Sequence, residues 1–469
     1  MNKKIMCKII IPALIIGAGI IYFGQTLLNQ SITLSDKSVL IYTGYTREIR
    51  LLEYEGTKEW KSEDGNIAEV SDGVISGLSP GKTVIHCITQ DGKEYTCDVE
   101  VRKSVSEEYR QIAEEEALWL ESLQLSNGSF SCYELEKGST ARVNPYFSCY
   151  CAIALLRTDY NNEKKDKIEA FINWYYAHMN MEEDVKGSIG TVYDYKAEVS
   201  GNTVTGETSK QSYDSADSYS ALFLMLLNEY VEKYEDTQVI SQCKEKTDCL
   251  VDVLLSLESG GYTESKKDSN VKYLMDNAEV YEGMEQALAL YKKMWCEDNR
   301  IELLEKTIKE FRDEFDSTWW GGDYYYPVLK GNNSSFYGDV MKWDRLYEFA
   351  TPQLFPVMFG IKNPDEKRSK QVYEQFCSKW NWEEMEFGDA VSGKETWSLI
   401  VYGAAAMQDY NRVNVYLNNY RQKSGDRSYP FYSGDSVWVI LTCDKVYGYC
   451  KDLESRGLKI DFVSENIEQ

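Results

Sequence analysis

Two kinds of apolar spacing divide this chain. From residue 31 to about 103 apolar and polar positions alternate with a period of two, as in Ser38-Val39-Leu40-Ile41, Thr46-Arg47-Glu48-Ile49-Arg50-Leu51 and Thr96-Cys97-Asp98-Val99-Glu100-Val101. That period predicts half-buried strands, and Asp91-Gly92 marks a hairpin turn between the last two. From about 105 the period becomes helical. The spacing predicts twelve helices, over approximately 106–124, 145–157, 163–180, 214–233, 238–258, 277–294, 299–316, 349–360, 364–381, 394–407, 410–423 and 435–450.

The loops between these helices alternate in length. After each even helix the connection is short and polar, as from Arg157 to Glu163 or Glu232 to Thr237. After the odd helices it is long and rich in Tyr, Trp, Gly and Asp, as from Glu182 to Tyr213, Gly260 to Asp276 and Thr318 to Glu348. Hairpins joined in this way put every long loop at one end of the assembly. Long loops without secondary structure are uncommon unless functional. The expected fold is a small all-β sandwich followed by a large all-α (α/α)6 toroid, with an open α-solenoid as the competing architecture. A solenoid would show a repeated consensus, and none is visible beyond hairpin length.

A third pattern precedes both. Lys3, Lys4 and Lys8 lead into an almost wholly apolar run from Ile9 to Leu28. About 20 such residues can span a bilayer, with the lysines inside and the rest of the chain outside. The expected divisions are a signal or transmembrane anchor at 1–30, a β-domain at 31–104, a helical domain at 105–455 and a tail at 456–469. The expected location is the extracellular face, either anchored to the cytoplasmic membrane or secreted.

Charge narrows the partners. The net charge of −25 argues against nucleic acid, because phosphate binding needs clustered Lys and Arg. The 36 tyrosines and 11 tryptophans are suited to stacking against apolar faces while keeping a polar handle. The 12 cysteines include no CxxC pair. Cys87 and Cys97 flank one hairpin and read either as a disulfide or as two buried thiols.

Exclusion shapes the chemistry. The only histidines are His86 and His178, too few for a Ser-His-Asp arrangement or a histidine-rich zinc site. No glycine-rich phosphate loop follows a strand, and neither metal nor cofactor is expected. What remains is carboxylates among aromatics, the inventory of glycoside hydrolysis: one carboxyl protonates the leaving oxygen, another activates water or attacks carbon. The candidates are Asp194, Asp214, Asp217, Asp276, Glu279, Asp323, Asp344, Glu348 and Asp435. Asp214/Asp217 and Asp276/Glu279 lie three apart at helix starts, so each pair also reads as a cap with its N3 partner.

The β-segment resembles a group 2 bacterial immunoglobulin-like domain, on Trp60-Lys61-Ser62, Gly73-Val74-Ile75-Ser76-Gly77-Leu78, Pro80-Gly81-Lys82-Thr83-Val84-Ile85 and Cys97-Asp98-Val99-Glu100-Val101. The resemblance implies a spacer or adhesion module. The twelve-helix pattern is similar to the six-hairpin glycosidase superfamily. Within it, Asp214-Ser215-Ala216-Asp217-Ser218-Tyr219-Ser220-Ala221-Leu222 resembles a helix start of the inverting cellulase, chitosanase and reducing-end xylanase family. The resemblance implies an aspartate here that holds the sugar at the cleavage subsite. Two departures stand against carrying over that mechanism. Arg142-Val143-Asn144-Pro145-Tyr146 replaces the family's Glu-Gly-x-Gly-Tyr loop, and Phe349 stands where its base would lie.

The resulting expectation is a glycosidase-like protein acting on a polysaccharide or oligosaccharide. Asp217 and Asp214 hold the sugar, Glu279 or Asp276 is the acid, and Asp194 or Glu348 is the base. Tyr213, Tyr219, Tyr273, Trp319 and Trp320 form the sugar platform, with Asp323 nearby in its aromatic loop. The runner-up is a non-catalytic glycan-binding or adhesion module, and a third reading is an acidic protein-adhesion toroid.

Overall fold

The structure is a computed structural model that describes residues 31–135, 140–331, 334–335, 341–388, 395–425 and 427–462. The run from Ile9 to Leu28, expected to be a signal or anchor, lies outside the described residues. Among the described residues no helix is long and apolar enough to cross a membrane. The described residues form two compact units, 31–105 with Cys450–Asp461, and Ser106–Tyr449 with Phe462.

The first unit is built of short strands: β1 (Thr33–Leu34), β2 (Ser38–Tyr42), β3 (Thr46–Glu48), β4 (Leu51–Leu52), β5 (Lys58–Ser62), β6 (Ala68–Ser71), β7 (Val74–Gly77), β8 (Gly81–Thr89) and β9 (Glu94–Arg102). One sheet runs β2-β9-β8-β5 and another β3-β7-β6, with β1 paired to β4. β2 lies parallel to β9 and the other pairs are antiparallel. Alternate residues of β8 and β9 enter a core of Ile41, Ile49, Ile75, Ile85, Cys87, Cys97, Val99 and Val101. The register sets Cys87 opposite Tyr95 and Cys97 opposite Ile85. The two thiols are therefore diagonal neighbours on one face, and both are free and buried. A diagonal pair is separated by about 7–8 Å, too far for a disulfide without backbone movement.

The second unit carries the helices α1 (Ser106–Ser122), α2 (Pro145–Arg157), α3 (Lys165–His178), α4 (Ala216–Tyr234), α5 (Lys244–Leu257), α6 (Leu274–Met294), α7 (Arg300–Trp319), α8 (Phe355–Met358), α9 (Lys367–Lys379), α10 (Leu399–Ala406), α11 (Tyr410–Lys423) and α12 (Ser433–Ser455). Each falls on an expected position. α2, α4 and α10 are apolar nearly all round, as Cys149-Tyr150-Cys151-Ala152-Ile153-Ala154-Leu155-Leu156 in α2 shows, and such helices belong inside. α2 packs on α4, α4 on α6, α6 on α8, and α8 on α10. Trp438 of α12 completes the circuit, with its ring 5.5 Å from Tyr402 of α10 and 4.9 Å from Tyr150 of α2. The odd helices are amphipathic and lie outside. The tightest inner contact is α4 on α6. A Cβ on Gly283 would stand 2.5 Å from the Ala221 Cβ, so glycine sets how closely these two helices approach.

Three details differ from the sequence expectation. The helix expected at 238–258 is interrupted at Gln242-Cys243, leaving a short turn, Gln238–Ser241, before α5. The helix expected at 349–360 begins as a π-turn (Leu346–Ala350) and a 3-10 turn (Thr351–Leu354) before α8. Pro352 and Pro356 lack backbone donors and break the regular ladder. The side chain of buried Gln353 instead accepts from Tyr325 N (2.7 Å) and donates to Tyr325 O (2.8 Å), which pins the aromatic loop. Finally, the long loops contain small sheets. β10 (Thr140–Val143), β11 (Tyr195–Ser200) and β12 (Thr203–Ser209) pair antiparallel in that order, with the turn at Gly201-Asn202.

Candidate active site

The N-terminal ends of α2, α4 and α6 meet, and their first turns bring polar groups into an apolar wall. Asn144 caps α2 and accepts from Phe147 N at 3.2 Å. Pro145 occupies the first helical position, where its missing donor costs nothing. The free end of the same amide donates to Asp194 Oδ1 (3.0 Å) and to the Tyr219 hydroxyl (2.8 Å). Tyr219 in turn donates to Asp194 Oδ1 at 3.0 Å. Asp194 is half-buried, and Lys210 Nζ lies 3.6 Å from its Oδ2. Burial raises its pKa, and Lys210 and Arg142 oppose that rise.

The acidic pairs at the starts of α4 and α6 are not caps. Asp217 is fully buried on the first turn of α4. It accepts from Thr263 Oγ1 (2.8 Å) and Ser218 N (2.9 Å), and Thr263 is held by Asn277. Burial raises its pKa to about 7. Asp276 is partly exposed and accepts from Ser215 Oγ at 2.7 Å. Burial, then the neighbouring Asp217, holds its carboxyl well above the usual range. Glu279 is 1% exposed, and its Oε1 accepts from Tyr146 OH (2.6 Å) and Tyr150 OH (2.9 Å). Burial, then Asp276, pushes its pKa to about 8. Three carboxyls that discourage one another's ionisation therefore share one wall.

The remaining expected site residues fall elsewhere. Asp214 is exposed beside the cluster, and its backbone oxygen accepts from Lys266. Tyr273 is 39% exposed at the N-cap of α6. Tyr213 is buried, stacked on Tyr193, and donates to Asp184 at 2.7 Å. Trp319 is fully buried against Tyr262, and Trp320 packs under the Arg368 guanidinium. Tyr213 and Trp319 thus present no face to a sugar, because both rings are buried. Asp323 is exposed in its loop. Glu348 is exposed and paired with Arg345 at 2.7 Å. Phe349 is buried, so no carboxylate occupies the position of the family's base.

Other residues join the cluster with little warning in the sequence. Tyr146 and Tyr150 are two such residues, legible only as an i,i+4 pair on an apolar helix. Tyr347 is another. Desolvation, then Asp276, Asp214 and Glu279, raises its pKa to about 12, and its ring lies 5.6 Å from Trp397. Phe147 sits edge-on to Tyr146 (5.1 Å) and to Tyr432 (5.1 Å). Beyond it opens a cavity of about 290 Å³ whose walls include Arg142, Phe147, Trp397, Tyr429, Tyr432 and Asp435. Asp435 accepts from Thr396, Ser398 and Tyr432 N, and burial raises its pKa to about 7. Among the described residues no group of His, Cys, Asp and Glu is arranged to hold a metal ion.

Neither a family model nor a curated protein matches this sequence. Solved structures do resemble it. A glycosidase superposes with a TM-score of 0.51 at 11% identity, covering 76% of this chain and 98% of its own. A glycosidase variant in complex with glucose gives a TM-score of 0.51 at 11% identity, again over 76% of this chain and 98% of that one. A family 76 glycoside hydrolase from a bovine Bacteroides thetaiotaomicron strain covers 89% of this chain and 100% of its own, at 10% identity and a TM-score of 0.47. At a TM-score of 0.51 the chain shares its fold with the first two of these, both glycosidases. The likeness is one of fold.

Proposed function

We propose that the protein is an extracellular glycoside hydrolase that cleaves a polysaccharide at the ends of α2, α4 and α6. The observation that carries this reading is the buried carboxyl cluster Asp217–Asp276–Glu279 beside half-buried Asp194, in a glycosidase-type fold. Asp276 is the general acid: it is the partly exposed member, and it is kept protonated by burial and by Asp217. Asp194, held by Asn144, Tyr219 and Lys210, is the base. Asp217 keeps Asp276 protonated, Glu279 braces the wall through Tyr146 and Tyr150, and Tyr347 and Tyr273 offer exposed rings to the sugar. The anchor or signal at 1–30 and an immunoglobulin-like spacer at 31–104 complete this reading of a surface protein.

The test is reducing-sugar release by the full chain over a panel of polysaccharides. Asp276→Asn and Asp194→Asn are each expected to lower kcat about 10²–10⁴-fold. Wild-type rates in both variants would remove the assignment. The buried Phe349 at the position of the family's base favours a second reading, a glycan-binding module without catalysis. Binding to a glycan without release would decide for it.

A further inference from the structure

The cavity beside the acid cluster has a charge pattern that a neutral sugar does not explain. Its two wall carboxylates are engaged within the protein. Asp435 is held by Thr396, Ser398 and Tyr432 N, and Glu395 accepts from Trp397 Nε1 at 3.1 Å. Arg142 is different. It projects from the exposed face of β10, and among the described residues its guanidinium makes no ion pair. The β-register sets it directly opposite Lys196 on β11. Like charges at such a position are destabilising. An unpaired cation, placed against a second cation in a chain of net charge −25, is an arrangement that a bound anion would relieve.

The surroundings specify what kind of anion. Arg142 lines the cavity and also opposes the rise of the Asp194 pKa, so one guanidinium bears on both the cavity and the proposed base. The cavity walls are aromatic: Phe147, Trp397, Tyr432 and Tyr429, the last 77% exposed, with Tyr133 5.5 Å from the Tyr429 ring. At about 290 Å³ the space is at the lower end of small-ligand pockets, which start near 300 Å³. Aromatic faces take a pyranose ring, and an arginine fork takes a planar carboxylate through two parallel N–H···O bonds. We infer that this cavity is a subsite for a uronic acid unit, with the sugar carboxylate on Arg142 and the ring against Tyr429 and Trp397. The substrate of the adjoining acid cluster is then an acidic polysaccharide. The inference rests on the glycan-cleaving reading above.

Calorimetry of the full chain would test it, using galacturonate and glucuronate oligosaccharides beside the same oligosaccharides with their carboxyls reduced to alcohols. Wild type is expected to bind a uronate form at least tenfold more tightly than its reduced form. Arg142→Ala is expected to abolish that preference while leaving affinity for the reduced form unchanged. Arg142→Lys should restore only part of it, since lysine keeps the charge but not the fork. Tyr429→Ala should weaken both forms together. Equal binding of both forms by wild type, or an undiminished preference in Arg142→Ala, would overturn the uronate subsite and leave the glycan reading intact. No binding of either form, with no sugar release from any polysaccharide, would overturn both.

Discussion

A carboxyl group in water ionises near pH 4, and the residues at this site are arranged to prevent that. Asp217, Asp276 and Glu279 are desolvated together on two adjacent first turns, so each charge raises the cost of the next. A general acid needs such a setting to hold its proton near neutrality. Activity is therefore expected to fall as pH rises through the titration of Asp276, and to fall on the acid side as Asp194 takes up a proton. Asp217→Asn removes the neighbouring charge that raises Asp276 and is expected to move the alkaline limb to lower pH. An unmoved limb in a pH–rate profile would show that Asp217 does not act on Asp276. Asp435→Asn, outside this cluster, should leave that limb in place.

At the scale of the element, two features fix the site's geometry. Asn144 is both the cap of α2 and the donor that orients Asp194. Asn144→Ala is expected to cost about 0.5–2 kcal/mol of stability, and to lower kcat with a smaller change in KM, because Asp194 loses its positioning. Equal activity with reduced stability would leave Asn144 as a cap alone. Gly283 brings α6 against Ala221 of α4, and so holds Asp276 and Glu279 against Asp217. Gly283→Ala would place a methyl 2.5 Å from the Ala221 Cβ, and is expected to destabilise by about 1–3 kcal/mol in a denaturant titration. The helical hairpins were legible because α2, α4 and α10 are apolar nearly all round and the odd helices only on one face. The sheet β10-β11-β12 was not, although Lys196 to Ser209 alternates and turns at Gly201-Asn202. Its strands are mostly exposed and carry few β-branched apolar residues, so a period-two reading had little contrast to work with.

For the whole molecule, the raised carboxyls make stability a function of pH with a definite sign. Asp217 and Asp435 titrate at about 7 and Glu279 at about 8 in the folded chain. Their unfolded values lie near 4. Between these limits the folded state binds more protons than the unfolded one, so stability falls as pH rises, by about 1.4 kcal/mol per pH unit for each such group. Tm is expected to decline from pH 5 to pH 8, and Asp435→Asn is expected to flatten that decline. A Tm that rises over this range would contradict the burial of these groups in the protonated form.

The sequence by itself determined the two grammars of the chain, the order of the elements and the carboxylate-rich helix starts. These are local properties, set by hydrophobic period and by the residues that begin and end helices. It also brought Asp217, Asp276, Glu279 and Asp194 forward, because acids at the ends of aromatic loops are visible one residue at a time. Only the tertiary structure decided that the ring closes through Trp438, that Tyr213 and Trp319 are core, and that Tyr146, Tyr150 and Asn144 serve the acids. The reason is physical. A tyrosine's role depends on which carboxylate its hydroxyl meets, and Tyr146 and Glu279 are 133 positions apart in the chain. Nothing local distinguishes a ring packed against the core from one that braces an acid until the helices that carry them are side by side.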